Sequence, residues 1–418
     1  MPEEIDIKKA LCRYRKEEPV EFSDPIFRKL ALTEAKEYNI AKQMLDTFEF
    51  NRLHHIHQAG LQFYVRPSAT GTRFSHSLGA ASLAKEISEM KIKIERGSWD
   101  RKTLEPEERK YLILSLLLHD IGQLPFSHIL EGVLPEQQHH EMIGLNLLKE
   151  QSDVRHNFDR YFEELCGGSN GSKKYLEQIG LVTIPEKLEY LQNHDGEIDK
   201  NDVLDTVSYL LGKDKEEGEK FLEEKGITPA LRDMVSGPID IDRIDHLSRD
   251  VYFFGGIGDF AKDAILSGYR IAEEKASGEM KLCLSSKALP ALKQMLYTRE
   301  LLYEYFYDDP WVRGCEIMLQ QAVLNLITDE NYGEFPHPVY VYTDYHLLHD
   351  LITHGKNSTK ILAQQLLHRT PMYGRVYEAD IMETDKYTIE TAIPGLYKEN
   401  RIAKEANELQ QTLRENIR

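Results

Sequence analysis

Leu112-Ile113-Leu114-Ser115-Leu116-Leu117-Leu118-His119-Asp120-Ile121-Gly122 is the stretch whose reading decides the fold. An almost wholly apolar run of this kind reads as a helix buried on every side, and it ends in two adjacent side chains able to bind a metal. Burying an imidazole and a carboxylate there without a partner would cost several kcal/mol. Either the pair is exposed or a cation compensates it, and the cation is the better reading.

Three more segments carry chemistry. Upstream, Arg73-Phe74-Ser75-His76-Ser77-Leu78-Gly79 opens a helix that continues through Ala80, Leu83, Ala84 and Ile87. Taken alone, His76 reads as an ordinary structural histidine. Downstream, Pro125-Phe126-Ser127-His128, Glu131 and His139-His140-Glu141 gather imidazoles and carboxylates densely enough to supply a general acid and a group to orient it. A solvated polar helix face is the bland alternative. Further on, Ile239-Asp240-Ile241-Asp242-Arg243-Ile244-Asp245-His246-Leu247-Ser248-Arg249-Asp250 places Asp242 and Asp245 three apart, on a face they can share with His246 and Arg249.

The rest of the chain narrows the class. In 418 residues, 41% are hydrophobic and 29% charged, which is a globular balance. The longest strongly apolar stretch, Tyr111 to Leu118, is far short of a bilayer span, and no apolar signal region follows Glu3, Glu4 and Asp6, so a cytoplasmic address is expected. The four cysteines form no CxxC pair, which argues against disulfides and thiolate zinc. A net charge of −18 makes a nucleic-acid partner unlikely to be favoured by bulk charge, while leaving room for a local basic pocket that takes a small anion.

Apolar spacing of three and four dominates, so a mostly α-helical fold is expected. Residues 1–44 form an N-terminal segment and 45–330 the main helical domain, with a helical insertion at about 166–226. Past Asn331, Val339-Tyr340-Val341-Tyr342 reads as strand-like and implies a smaller mixed α/β C-terminal lobe over 331–418, ending in an exposed helix from Lys398. Tyr303 and Tyr307, four apart, can share one face toward a pocket.

An ordered His, then His-Asp, then Asp is the ligand set of the HD phosphohydrolases. The match extends further, through Asp46-Thr47, Phe50-Asn51-Arg52-Leu53, Gln58-Ala59-Gly60, Arg73 to Gly79, His119 to Gly122, Pro125 to His128, His140-Glu141, Asp240 to Arg243, Arg249-Asp250 and Tyr297-Thr298-Arg299. In these motifs the sequence resembles the dNTP triphosphohydrolases of the HD superfamily, from about Asp24 to about Tyr373. The resemblance implies an HD-domain helical bundle that cleaves a deoxynucleoside triphosphate to the deoxynucleoside and inorganic triphosphate.

That resemblance assigns His76, His119, Asp120 and Asp242 to one divalent metal per subunit. Two imidazoles and two carboxylates suit manganese, iron, cobalt, nickel or zinc and, less ideally, magnesium. His140, steadied by Glu131 or Glu141, takes the place of the histidine that protonates the leaving 5′ oxygen. His128 is a second candidate, and the sequence leaves the two open. Arg73, Arg243 and Arg299 match polyphosphate contacts, Asp250 a contact to the sugar 3′-hydroxyl, and Tyr307 and Gln58 neighbours of the sugar ring. A homo-oligomer, dimer or tetramer, is implied as well.

The sequence also departs from the family pattern. Gln123 and Leu124 replace His-Gly, removing one phosphate-contacting histidine, and His246 stands where a nucleotide-contacting Tyr is usual. His54 and Val20 replace basic residues of the family's activator site, which argues against activation by guanine nucleotides. The departures keep two alternatives in view: an HD phosphohydrolase acting on another nucleotide or phosphate ester, and a nucleotide-sensing or nucleic-acid-binding regulator with a vestigial site.

Overall fold

The computed structural model describes residues 20–32, 39–165, 182–327 and 338–370, with short breaks at 91, 97–98, 102, 136–137, 150–151, 196–197, 213–214, 257 and 275–277. The expected N-terminal segment before residue 20, the Gly-rich turn at 166–171 and the terminal helix from Lys398 lie outside the described residues.

The chain opens with a hairpin of β1 (Val20–Asp24) and β2 (Arg28–Leu32). Helix α1 (Arg73–Glu89) starts at Thr72, whose side chain accepts the Ser75 backbone N–H at 3.4 Å. Helix α2 (Pro106–Leu118) starts at a reciprocal cap between Glu105 and Glu108, with proline at its first position, where the missing N–H costs nothing. The expected buried run is α2's last eight residues: Tyr111 to Leu118 are all buried, and α1 packs along them. A helix hydrophobic on all sides belongs at the centre, and α2 is central.

The chain then runs through α3 (His140–Leu148) and the helix Asp153–Leu165 into the expected insertion. Its described part is helical: Ile184–Asp195, then α4 (Lys200–Leu211), which packs on α2, and Lys215–Glu224. Helix α5 (Ile241–Phe253) crosses α1, and its first turn is fixed by Asp240, which accepts the Arg243 N–H at 2.7 Å and the Gly237 N–H at 3.1 Å. The crossing is tight because residue 79 is glycine. A Cβ there would lie 2.1 Å from both Arg249 Nη2 and Asp245 Oδ1. Gly122 plays the same part where the end of α2 meets α3, since its Cβ would lie 2.3 Å from the His140 carbonyl oxygen.

Strands β3 (Lys93–Arg96), β4 (Trp99–Arg101), β5 (Tyr269–Glu273) and β6 (Met280–Leu284) form one sheet in the order β4-β3-β5-β6, with only β3 and β5 parallel. Helices α6 (Leu289–Leu302), α7 (Pro310–Ile327), α8 (Asp344–Thr353) and α9 (Asn357–Leu367) complete the described chain.

Of the expected C-terminal lobe, the described residues 338–370 are helical, and the strand read at Val339 to Tyr342 is absent. Val339–Val341 is a 3-10 turn, residues 338–370 contain no strand among the described residues, and α8 and α9 pack on α7. Residues Val339 to Tyr342 are all buried, so there is no polar face for a sheet edge to present. The β-branched and aromatic content of this run serves core packing.

Candidate active site

A cleft of about 560 Å³ opens where α1, the end of α2, the 3-10 turn Ser127–Gly132, α5, α6 and α7 meet. Three donors converge at its floor. His76 Nε2 lies 2.9 Å from Asp242 Oδ1 and 3.2 Å from His119 Nε2, and His119 Nε2 lies 3.6 Å from Asp242 Oδ1. Ligands bonded at about 2.1 Å to one ion stand about 3.0 Å apart in octahedral and about 3.4 Å apart in tetrahedral arrangement, so these spacings match a single cation.

The partners of the opposite ring nitrogens fix what the Nε2 atoms offer. His76 Nδ1–H donates to Asp245 Oδ2 at 2.7 Å, and His119 Nδ1–H donates to the Leu116 carbonyl at 2.7 Å. Both Nε2 atoms therefore aim lone pairs at the same point. Lone pairs that close, beside a carboxylate, demand a positive charge between them, and the donor set fits a divalent metal on that ground.

Asp120 flanks this triad. Its Oδ2 is 3.7 Å from His76 Nε2 and 3.6 Å from His119 Nε2, and the same oxygen accepts from Arg73 Nη1 at 2.8 Å. Burial would raise the Asp120 carboxyl, but Arg73, His119 and His76 together hold it well below the usual carboxylate range. Without a metal the same spot draws a proton instead: burial opposes charge on His76, yet Asp242 and Asp245 push that imidazole up to about 10. The pocket is built to stabilise positive charge at this spot.

Beyond the triad, Glu131 holds two imidazoles. It accepts the Nδ1–H of His140 through Oε1, and its Oε2 lies 3.3 Å from His128 Nδ1. The two rings stand edge-to-face with centroids 4.8 Å apart. Burial would raise Glu131, but the two histidines hold it well below its ordinary value. Of the two carboxylates named from sequence, Glu131 meets His140. Glu141 is exposed on the first turn of α3.

The expected substrate-binding residues all line the cleft: Gln58, Arg73, Arg243, His246, Asp250, Arg299, Tyr303 and Tyr307; His76 and Glu131 stand behind its wall. Tyr307 donates its hydroxyl hydrogen bond to Asp250 Oδ2, and its ring meets that of Tyr303 edge-to-face at 4.9 Å. Burial raises the Asp250 carboxyl, and burial together with Asp250 raises the Tyr307 phenol well above its usual value. The Arg299 guanidinium stacks on Tyr303 at 4.8 Å. Arg243 Nη1 donates to the Pro238 carbonyl at 2.5 Å.

Gln123, which stands at a family phosphate contact, is fully buried and is not part of the cleft wall. Asp46, matched to the family's activator site, is buried 3.9 Å from Lys187 Nζ, and His54 stacks flat on Phe74 with centroids 3.4 Å apart.

Asp245, Arg313, Glu316 and Gln320 carry no role on sequence grounds alone. Asp245 is fully buried behind His76 and also accepts from Arg249 Nε at 2.6 Å. Arg313, Glu316 and Gln320 line the cleft from α7. Their spacing of three and four along a largely apolar helix was the available signal.

A family model described as HD domain matches residues 73–250. An uncharacterised protein of Methanocaldococcus jannaschii is 29% identical over 290 residues, covering 69% of this chain and 47% of that protein. Deoxynucleoside triphosphate triphosphohydrolase SAMHD1 of Gallus gallus is 27% identical over 307 residues, covering 72% of this chain and 44% of that protein. The chain thus spans about half the length of these curated relatives. A crystal structure of a hypothetical protein from Aquifex aeolicus shares the fold, with a TM-score of 0.58 at 24% identity over 84% of this chain and 76% of that one. The HD-domain match over residues 73–250 takes in His76, the His119-Asp120 pair and Asp242.

Proposed function

We propose that this chain is a metal-dependent phosphohydrolase that converts a deoxynucleoside triphosphate and water to the deoxynucleoside and inorganic triphosphate. One observation carries the reading: His119 and Asp242, backed by the buried His76, and His140, backed by Glu131, line one cleft whose walls carry Arg73, Arg243 and Arg299. His76, His119 and Asp242, with Asp120 beside them, would hold one divalent transition metal, manganese, iron, cobalt, nickel or zinc, or else magnesium, and the bound metal supplies Lewis-acid charge neutralisation at phosphorus.

The chain's own groups do the rest. The arginines bind the polyphosphate with paired planar donors. The bond that breaks joins the α-phosphorus to the 5′ oxygen, and that oxygen needs a proton as it leaves. His140 is the donor, because its Nδ1–H is committed to Glu131 and its Nε2 is left for proton transfer. The Glu131 carboxylate stabilises the imidazolium before the transfer. Asp250, Tyr307 and Gln58 surround the sugar. A homo-oligomer, dimer or tetramer, is supported by the family resemblance, and a cytoplasmic address belongs to the same reading. No described helix is long and apolar enough to cross a membrane.

The decisive experiment incubates the chain with nucleoside mono-, di- and triphosphates and several divalent metals, then identifies the products. Release of intact triphosphate from deoxynucleoside triphosphates supports the reading. Release of single phosphates transfers the activity to another phosphate ester, the reading that the burial of Gln123 favours by removing one phosphate contact.

A further inference from the structure

We infer that Asp344, the first residue of α8 and outside the HD-domain match, is a positioning residue for the cleft. It acts through the turn Phe126-Ser127, and the inference rests on the hydrolase reading above.

The turn is the unusual element. Phe126 and Ser127 have φ of +58° and +63°, two consecutive non-glycine residues in the left-handed region. Such backbone persists only where its surroundings over-determine it, and it concentrates at functional sites. His128 follows at once, and the 3-10 turn Ser127–Gly132 carries Glu131. The geometry of both groups depends on where this turn sits.

Asp344 supplies the restraint. Its Oδ1 accepts the Phe126 backbone N–H at 2.6 Å, and its Oδ2 accepts the His57 backbone N–H at 2.9 Å and the His57 Nδ1–H at 2.7 Å. One buried carboxylate thereby ties together two segments 69 residues apart, those of His57 and Phe126. Ser127 extends the chain of contacts: its hydroxyl donates to the His57 carbonyl at 2.7 Å and accepts from Arg73 Nε at 2.9 Å. Arg73 in turn reaches Asp120 through Nη1. Asp344 does not line the cleft. Its influence on Arg73, Asp120 and His128 passes through the turn.

Three donors meet two carboxylate oxygens, so Asp344→Asn is a sharp test. An amide keeps the shape but must turn its NH₂ toward the N–H of either Phe126 or His57, removing an acceptor and opposing donors. Amide hydrogen exchange in the whole chain should accelerate about tenfold or more across residues 121–132 while the centres of α2 and α5 stay protected. With manganese and a deoxynucleoside triphosphate, kcat should fall about tenfold or more at unchanged metal content, and combining the change with Ser127→Ala should give a loss clearly smaller than the product of the two single losses.

A purely structural Asp344 would instead lower the melting temperature, raise exchange throughout α8 and multiply independently with Ser127→Ala. Unchanged exchange at 121–132, or independent effects, overturns the inference. If Asp344→Asn does not fold, His57→Phe keeps the stacking on Phe63 and removes only the Nδ1 donor. A smaller exchange increase confined to 121–132 is then expected, and none at all counts against the inference. The exchange arm reads Asp344 even in a chain that hydrolyses nothing, so failure of the hydrolase reading shows up separately as an inactive wild type.

Discussion

Asp245 Oδ2 lies 2.7 Å from His76 Nδ1, buried behind the donor triad. The carboxylate holds His76 in the tautomer whose Nε2 is free to bind a metal, and Arg249, bonded to Asp245 and to Asp24, holds the carboxylate. Asp245→Asn should therefore weaken metal binding about 10- to 100-fold while the same side chains still hold the ion. Metal titration by calorimetry measures this directly, and wild-type affinity in the variant would remove Asp245 from the metal-binding role.

The Glu131–His140 pair makes a kinetic and a thermodynamic prediction. His140→Ala should keep metal and nucleotide but lose rate by about a hundredfold or more, and Glu131→Gln should lose part of that. Unchanged turnover in His140→Ala would transfer the proton to His128. The stability sign follows from Glu131 being held below its ordinary value of 4.5. A carboxyl depressed in the folded state stabilises the fold above its unfolded pKa, and that contribution is lost as pH falls through the folded value. The stability gap between wild type and Glu131→Gln, read from denaturant midpoints, should be full above pH 4.5 and shrink in more acidic buffer.

How much of this was legible in sequence depended on whether an interaction was local. The opening of α1 at Arg73, the buried run of α2 and the His-Asp pair at its end are written in short stretches, and the structure has them where the sequence put them. Glu131 and Glu141 were indistinguishable on spacing alone. The choice depends on how a 3-10 turn folds back on the start of α3, a tertiary contact. The strands β3 to β6 were missed because each is three to five residues long, too short for alternation to stand out, and β3 pairs with a strand far along the chain. Val339 to Tyr342 misled for the opposite reason, being strand-like in composition but buried on every side.

Arg243 and Arg299 bear on substrate length. Both line the cleft, one at the start of α5 and one on α6, stacked on Tyr303. Replacing either with Ala should raise KM for triphosphates more than for monophosphates, by about tenfold or more for each bidentate pair of hydrogen bonds to phosphate that the change removes. Equal effects on both substrate classes would reject a polyphosphate-specific role.

The α1–α5 crossing offers a test that needs no substrate. At Gly79 a Cβ would sit 2.1 Å from Arg249 Nη2 and Asp245 Oδ1, two groups pinned by their own ion pairs and unable to retreat cheaply. Gly79→Ala should cost about 1–3 kcal/mol in chemical denaturation. It should also weaken metal binding, because the clash falls on the Asp245 carboxylate that holds His76 and on the Arg249 guanidinium that holds Asp245. Gly144→Ala is the matched control: a Cβ there meets its nearest atom at 3.5 Å, an ordinary contact, and the position is inside helix α3. That substitution should be neutral or stabilising, by up to about 1 kcal/mol, and leave metal affinity alone. Wild-type stability and metal affinity in Gly79→Ala would mean that the crossing tolerates a methyl group and that Asp245 is less tightly held than its ion pair and hydrogen bonds imply.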